Sequence, residues 1–444
     1  MRHFLLAVLG AVPLVAADPL TITDAIHLAL DKHPAIEAGA ALTHAAGSRI
    51  TQARAAYLPH VNYAESWTRS DNPVFVFSSL LGQHQFTEAN FGIETLNRPD
   101  FLNNFQSQVT IEQTIYDWGA SKAQVRSAEL GRSISEAQER STKMVLIARV
   151  VRAYNTAVLA RASVGVAREA IGSAEADARR AESVRDAGMS TDADVLSIRV
   201  HLAAVREQAI RRDYEAQVAM ASLNETLALP LDTDHALVTP LNPVQLPGRP
   251  AAQYQAAAGQ NRPELKQSEL AADAAEQQSK AARSALLPQV AIRGGFEADR
   301  QDFVQKGGAN WLISASVRWN LFDGSANRAR VSEAKALLES AHAQQKAAAQ
   351  GVQLEVFKAW ADARSAEERI GVATAAVAQA EESLRITKNR YESGLSTVAD
   401  LLRNETAVLE ARTRRLAAIH DQRVAAAQLE LASGTLTADS EIVR

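Results

Sequence analysis

Nine residues, GMSTDADVL at 188–196, return almost unchanged as GLSTVADLL at 394–402, an offset of 206 positions. The same offset carries Tyr116-Asp117 onto Phe322-Asp323 and Ala123-Gln124-Val125 onto Ala329-Arg330-Val331. Upstream, an offset of 229 carries His33-Pro34 onto Arg262-Pro263 and Leu58-Pro59 onto Leu287-Pro288, so the first half holds 23 additional residues between Pro59 and Ile111. A period this long means one structural unit used twice. The chain therefore reads as two repeats, 18–227 and 251–434, joined by an exposed proline-rich connector at 228–250 and followed by a short, polar, poorly ordered tail at 435–444.

Each nonapeptide has a local physical meaning. Gly188 and Gly394 follow long helical patterns, where a glycine can turn left-handed without a Cβ penalty and end the helix. Thr191 and Thr397 can cap a new helix, with Asp194 and Asp400 three residues on in the acid position of a capping box. Each motif is thus expected at the tip of a helical hairpin.

Composition excludes most chemistry. There is no cysteine, so disulfides, thiolate metal sites and a catalytic thiol are ruled out. No HExxH pair, phosphate-binding GK[ST] loop, GxGxxG or GxSxG elbow occurs, so no catalytic, cofactor or metal site is expected. The net charge of −4, with both signs interspersed, gives no basic track for nucleic acid. The N-terminus carries Arg2, an apolar run from Phe4 to Val15 and the small-residue stretch Val15-Ala16-Ala17, which reads as a cleaved signal peptide over 1–17. Asp18 rather than cysteine follows, so no lipoprotein anchor is expected at that junction. No later stretch reaches the roughly 20 apolar residues of a spanning helix, so any membrane crossing must use strands.

Residues 20–56 read as a short amphipathic helix and an alanine-rich one, broken at Pro34 and ended at Leu58-Pro59, where the period falls from 3.6 to 2. Four segments then read as strands: 60–69, 105–116, 289–298 and 311–321, each near the ~9–11 residues of a tilted membrane strand. The last sets Ile313, Ala315, Val317, Trp319 and Leu321 against Ser314, Ser316, Arg318 and Asn320; the first is the least regular, because Glu65 falls among Val61, Tyr63 and Trp67. Between the first pair lies an aromatic-rich connection, 70–104, able either to fold over an opening or to pack on itself. From 119 to 187 and from 325 to 393 the pattern is helical without a proline, about 100 Å of helix each. A 3.5-residue seam runs from Val352 through Val356, Ala359, Ala363, Ala366, Ile370, Ala373, Val377, Ala380, Leu384 and Thr387 to Tyr391, its alanines allowing close helix approach. Returning helices are expected at 192–227 and 398–432.

Four strands cannot close a barrel, and open edges cannot face lipid, so copies must associate: two would give eight strands, three would give twelve. The signal sequence, Leu20 to Pro34 (LTITDAIHLALDKHP), Leu58-Pro59 and Leu287-Pro288, the Tyr116-Asp117 and Phe322-Asp323 junctions and the paired tips resemble the TolC-like outer membrane efflux protein family over nearly the whole mature chain. The resemblance implies a mixed α/β membrane protein, a homotrimeric 12-stranded barrel with four strands per chain, continuous with a long periplasmic α-helical barrel. It implies an exit duct in the outer membrane that an inner membrane pump and a periplasmic adaptor engage. Drug, metal-ion and polypeptide exporters share such a duct. The alternative from the residues alone is a periplasmic coiled-coil scaffold or adaptor without a barrel, which would leave the alternating segments unused.

By the same resemblance the tip residues Gly188, Met189, Ser190, Gly394, Leu395 and Ser396 would meet the adaptor. Asp194 and Asp400 would take acidic positions at a narrowed aperture, and Tyr391 that of an aromatic which helps hold it closed. The chain departs from the family pattern at Arg403, where a second ring carboxylate is expected, and at Ser396, which replaces a cation. Both aspartates also have a capping role open to them.

Overall fold

The computed structural model describes residues 18–304 and 307–443, so the signal-peptide reading of 1–17 lies outside the described residues. The elements are β1 (Asp18–Leu20), α1 (Ile22–Lys32), α2 (Pro34–Arg54), β2 (His60–Ser70), α3 (Pro73–Gly82), α4 (Ile93–Asn97), β3 (Leu102–Tyr116), α5 (Ala120–Asp186), α6 (Asp192–Thr226), β4 (His235–Leu237), α7 (Ala251–Asn261), α8 (Pro263–Ser284), β5 (Gln289–Arg300), β6 (Gly308–Arg318), α9 (Ala326–Glu392) and α10 (Val398–Ser433). Helices α5 and α9 are 67 residues each, and α6 and α10 have 35 and 36. The two long helices also start alike. Asp117 accepts from the Ser121 N–H at 2.7 Å, and Asp323 from the Asn327 N–H at 2.9 Å, so each junction aspartate satisfies a free donor of the first turn.

Contacts divide the chain into two compact units. One comprises Ala41–Glu136 and Lys266–Ala347 and holds the four-stranded antiparallel sheet, in the order β2-β3-β5-β6. Register sorts its side chains by pleat. Val61 faces Ile111, Tyr63 faces Val109, Val109 faces Phe296, Phe296 faces Trp311 and Val290 faces Val317, which makes one broad apolar face. Its large side chains are exposed, Trp311 by 78%. The opposite face carries Gln106, Gln108, Glu297, Asp299, Asn310, Ser314 and Ser316, with Leu312 as its main apolar exception. The irregular Glu65 does lie on the apolar side, but it is not alone: Arg300 donates to it at 2.8 Å and Tyr63 at 2.7 Å, and Ser107 also donates to it.

Strand limits shift at several ends. β3 starts at Leu102 rather than 105, β5 runs on to Arg300, and β6 spans 308–318 rather than 311–321, leaving Trp319 and Leu321 beyond it. The expected 70–104 connection contains helices: Asn72 caps α3 through the Val74 and Phe75 N–H groups at 3.0 and 3.2 Å, with Pro73 at the first position. It packs on itself through edge contacts of Phe86 with Phe77 and Phe91, at 4.9 and 5.1 Å between ring centres. It also docks on the polar face of the sheet. Gln83, 2% exposed, donates to Asn104 Oδ1 at 2.8 Å, and Asn104 donates to Asp299 Oδ1 at 2.7 Å.

The other unit comprises, among the described residues, 18–40, 137–265 and 348–443. Its largest core cluster joins α1, the middle of α5, the end of α6 and the end of α10 around fully buried Tyr154. The Tyr154 hydroxyl donates to the Leu20 carbonyl at 2.8 Å and accepts from the Thr239 N–H at 3.0 Å, a full complement for a buried phenol. Two sequence expectations fail here. The connector 228–250 is not simply exposed, since β4 pairs in parallel with β1, and Gln422 brackets Val244 with bonds of 2.9 and 2.5 Å. The tail beyond Gly434 is packed, with Leu436, Ile442 and Val443 buried in the main core. Three apolar side chains with no periodicity were enough to anchor a segment that reads as polar. The α9 seam behaves as its spacing requires: Val352, Val356, Ala359, Ala363 and Ala366 are buried, and Ile370 through Tyr391 are half-buried.

Candidate functional site: the paired hairpin tips

Both tips are built the same way. Gly188 (φ 75°) and Gly394 (φ 72°) take the left-handed conformation. Met189 N–H reaches the Val184 carbonyl at 3.0 Å and Leu395 N–H the Arg390 carbonyl at 2.8 Å, so the last helical carbonyls are satisfied by a Schellman turn. Thr191 and Asp194 form a complete capping box, as do Thr397 and Asp400. Ser190 and Ser396 add bonds to the same carboxylates at 3.1 and 3.4 Å. Hydrogen bonds from the capping threonines hold both aspartates below their ordinary range. Arg403 donates to Asp400 at 3.1 Å from the exposed side. Met189 and Leu395 project into solvent.

One apolar cluster brings the two tips together. Ala178 and Ala181 of α5, Val195 and Ile198 of α6 and Val398 of α10 pack in contact, with Tyr391 of α9 against them. Burial, then the charges of Asp194 and Asp177, push the Tyr391 hydroxyl up from its usual range. All ten residues singled out in the sequence therefore sit on the two tips, with Tyr391 at their shared packing.

Sequence reasoning missed the polar cluster just behind. Asp177, 4% exposed, accepts from Lys388 at 2.8 Å, tying α5 to α9. Glu405 of α10 lies 3.3 Å from His201 of α6 and accepts from Ser173 of α5 at 3.3 Å. Burial first, and then the Glu405 carboxylate, push the Asp177 carboxyl up to about 6 against the pull of Lys388. Burial opposes ionisation of Glu405 too, but hydrogen bonds from His201 and Asp177 hold it below the usual range. These residues are scattered between 173 and 405 with no common spacing, so no motif announces them.

A raised folded-state value fixes the sign of the pH effect. The Asp177 contribution to stability is complete below the ordinary carboxylate range and is lost as pH rises through about 6. Glu405 acts in the opposite sense, and only at lower pH. Between pH 5 and 7.5 the wild type should lose on the order of 1 kcal/mol relative to Asp177→Asn, which fixes the neutral form. Parallel thermal midpoints across that range, expressed as wild type minus variant, check this; a flat difference would remove the assignment.

A sequence profile described as outer membrane efflux protein matches residues 25–229 and 255–435, most of the chain. The chain belongs to the outer membrane efflux protein family. The protein CyaE of Bordetella pertussis is 30% identical over 429 residues, covering 94% of this chain and 85% of that one. Among solved structures, the CusC channel aligns with a TM-score of 0.80 at 18% identity over 94% of this chain and 93% of that chain. The outer membrane protein VceC of Vibrio cholerae gives 0.78 at 19%, over 93% and 96%. At such identities the structures report the shared fold. As a member of this family the chain is an outer membrane channel component of an efflux or secretion system, reaching from the outer membrane into the periplasm.

Proposed function

We propose that three copies of the chain close a 12-stranded barrel in the outer membrane, β6 of each pairing with β2 of the next, and that their helices form a tube beneath it. The observation that carries this reading is the sheet itself: one face apolar and exposed, the other polar, and two different strands at its edges. The exposed apolar face fits lipid, the polar face fits a water-filled lumen, and closure removes edges that hydrocarbon could not solvate. The matching element order of 18–227 and 251–434 is the basis for reading the chain as an internal repeat, two hairpins per copy. Cysteines at Val317 and Ile111 should react with lipid-phase probes, and one at Ser316 with water-soluble probes, in a species of heat-modifiable trimer mobility. Equal labelling by both probes would reject the barrel and favour the periplasmic scaffold.

The tips are the proposed working end. Residues 188–190 and 394–396 present exposed Met189 and Leu395 and tight glycine turns to a hairpin of the periplasmic adaptor, through which the inner membrane pump passes cargo. Asp194, Tyr391, Asp400 and Arg403 border the aperture, where Arg403 offsets part of the Asp400 charge. A non-glycine residue at φ 72° costs roughly 1–2 kcal/mol, which asparagine bears better than most. Gly394→Asn should keep trimer assembly and efflux, whereas Gly394→Asp should keep assembly and abolish efflux. In planar bilayers Arg403→Asp should raise block by multivalent cations. Loss of trimer with Gly394→Asp would leave the glycine a purely structural role, and unchanged block would take Arg403 away from the opening.

A further inference from the structure

A cleft of about 770 Å³ opens in the sheet-bearing unit where β3 passes into α5 and α8 into β5. Tyr57 and Trp118 form its apolar wall, and Lys122, Arg126, Lys280 and Arg283 its basic one. The carboxylate within it, Glu129, is already taken by Arg54 at 3.0 Å and Arg126 at 3.3 Å, and Lys280 is paired with Glu276 at 3.1 Å. Among the described residues Lys122 and Arg283 make no ion pair, so the cleft has a surplus of positive charge.

Its position relative to the sheet is fixed by contacts. Tyr116 pairs with Val290, on the apolar face, and the Tyr116 and Trp118 rings meet edge to face at 5.0 Å. The Trp118 indole donates to the Pro288 carbonyl at 2.7 Å. The cleft therefore adjoins the helix-side margin of the apolar face, where exposed Tyr57, Tyr116, Trp118 and Trp319 gather as an aromatic girdle does at a membrane boundary. It lies where the two inner strands, β3 and β5, meet their helices, away from the edge strands β2 and β6. Trp118 is also held at φ 55°, where the corresponding position of the second half is Gly324, also left-handed at φ 68°. The next position reverses the pattern, Gly119 (φ 86°) in the first half and Ser325 (φ 74°) in the second, so each half keeps one non-glycine residue in the left-handed region of this turn.

We propose that this cleft binds the headgroup phosphate of an anionic glycerophospholipid in the periplasmic leaflet of the outer membrane. Lys122 and Arg283 take the phosphate oxygens, Arg guanidinium being suited to them in a forked geometry, while Tyr57 and Trp118 lie against the glycerol and upper acyl segment. Such a contact would hold the chain at the membrane boundary. The inference rests on the outer membrane barrel reading.

The test is native mass spectrometry of the purified full-length assembly, titrated with phosphatidylglycerol and phosphatidylcholine. Phosphatidylglycerol should be retained in preference, and Lys122→Gln with Arg283→Gln should weaken it roughly 30-fold, two juxtamembrane cations at about fivefold each. Trp118→Gly, which matches the other half and relieves the left-handed strain, should keep heat-modifiable trimers and still lose affinity. Unchanged binding in both variants overturns the site, and displacement of the lipid by millimolar inorganic phosphate overturns its assignment to lipid. Brominated lipid quenching of Trp67 and Trp311 separates the two ideas: absent quenching rejects the barrel, whereas quenching without selective retention rejects only the cleft.

Discussion

Arg262→Ala is expected to destabilise the unit that carries the tips by about 3 kcal/mol or more. The guanidinium is 9% exposed and uses its donors on three elements: Glu264 at the start of α8 at 2.9 Å, Glu355 of α9 at 2.8 Å, and the Ala432 carbonyl at the end of α10 at 3.1 Å. Glu264 in turn accepts from Ser141 of α5 at 2.6 Å. Removing the arginine leaves Glu355 and a helix-terminal carbonyl without this donor and Glu264 with Ser141 alone, whereas a lysine could satisfy only part of the set with a single ammonium. Arg262→Lys should therefore recover less than half of the loss. The backbone is also closely packed here, since a Cβ on left-handed Gly434 would stand 2.8 Å from the Arg262 backbone nitrogen. Denaturant midpoints of the purified wild type and both variants measure the effect, and equal midpoints would show the network to be dispensable.

Glu65→Ala should lower the yield of assembled barrel through the sheet-bearing unit. In the proposed barrel Glu65 and Arg300 lie on the lipid side, where their 2.8 Å pair and the Ser107 and Tyr63 hydroxyls satisfy each other. Taking away the acid leaves the guanidinium without its counterion, held by Ser107 and the Phe303 carbonyl, and because Arg300 ends β5 the cost falls toward the roughly 1 kcal/mol of an interfacial position. Removing both charges should restore most of the assembled protein, since two apolar positions sit well there. The readout is the yield of heat-modifiable trimer in outer membranes for each single variant and the double. If the double variant is no better than Glu65→Ala, the pair does not face lipid.

The sequence made the repeated parts legible because repetition supplies its own control. The capping boxes of Thr191 and Thr397, the left-handed glycines and the alternation of Ile313 to Val317 each follow from local rules that tertiary context does not override. Parts held by single long-range contacts were not legible. Leu436, Ile442 and Val443 show no period, and only the pocket that receives them makes the tail ordered. β4 is three residues long, too short for any alternation, and exists because β1 lies beside it. α3 could have been found, since Asn72-Pro73 is a helix-start signal, but the following phenylalanines read equally well as an irregular aromatic loop. Asp177, Lys388, His201 and Glu405 converge from four helices, and a one-dimensional pattern has no means of pairing them.

The two ends of the sheet differ, and that has a genetic consequence. β2 and β6 are not interchangeable, so in the proposed ring every joint is head to tail and none is spare. A copy damaged along β6 still presents a sound β2, and is accepted by a normal neighbour before its own joint fails. In a cell making sound and damaged chains equally, only about one ring in eight would contain no faulty member. Defects confined to one edge strand would thus behave as dominant alleles, whereas losses of the whole chain would be recessive.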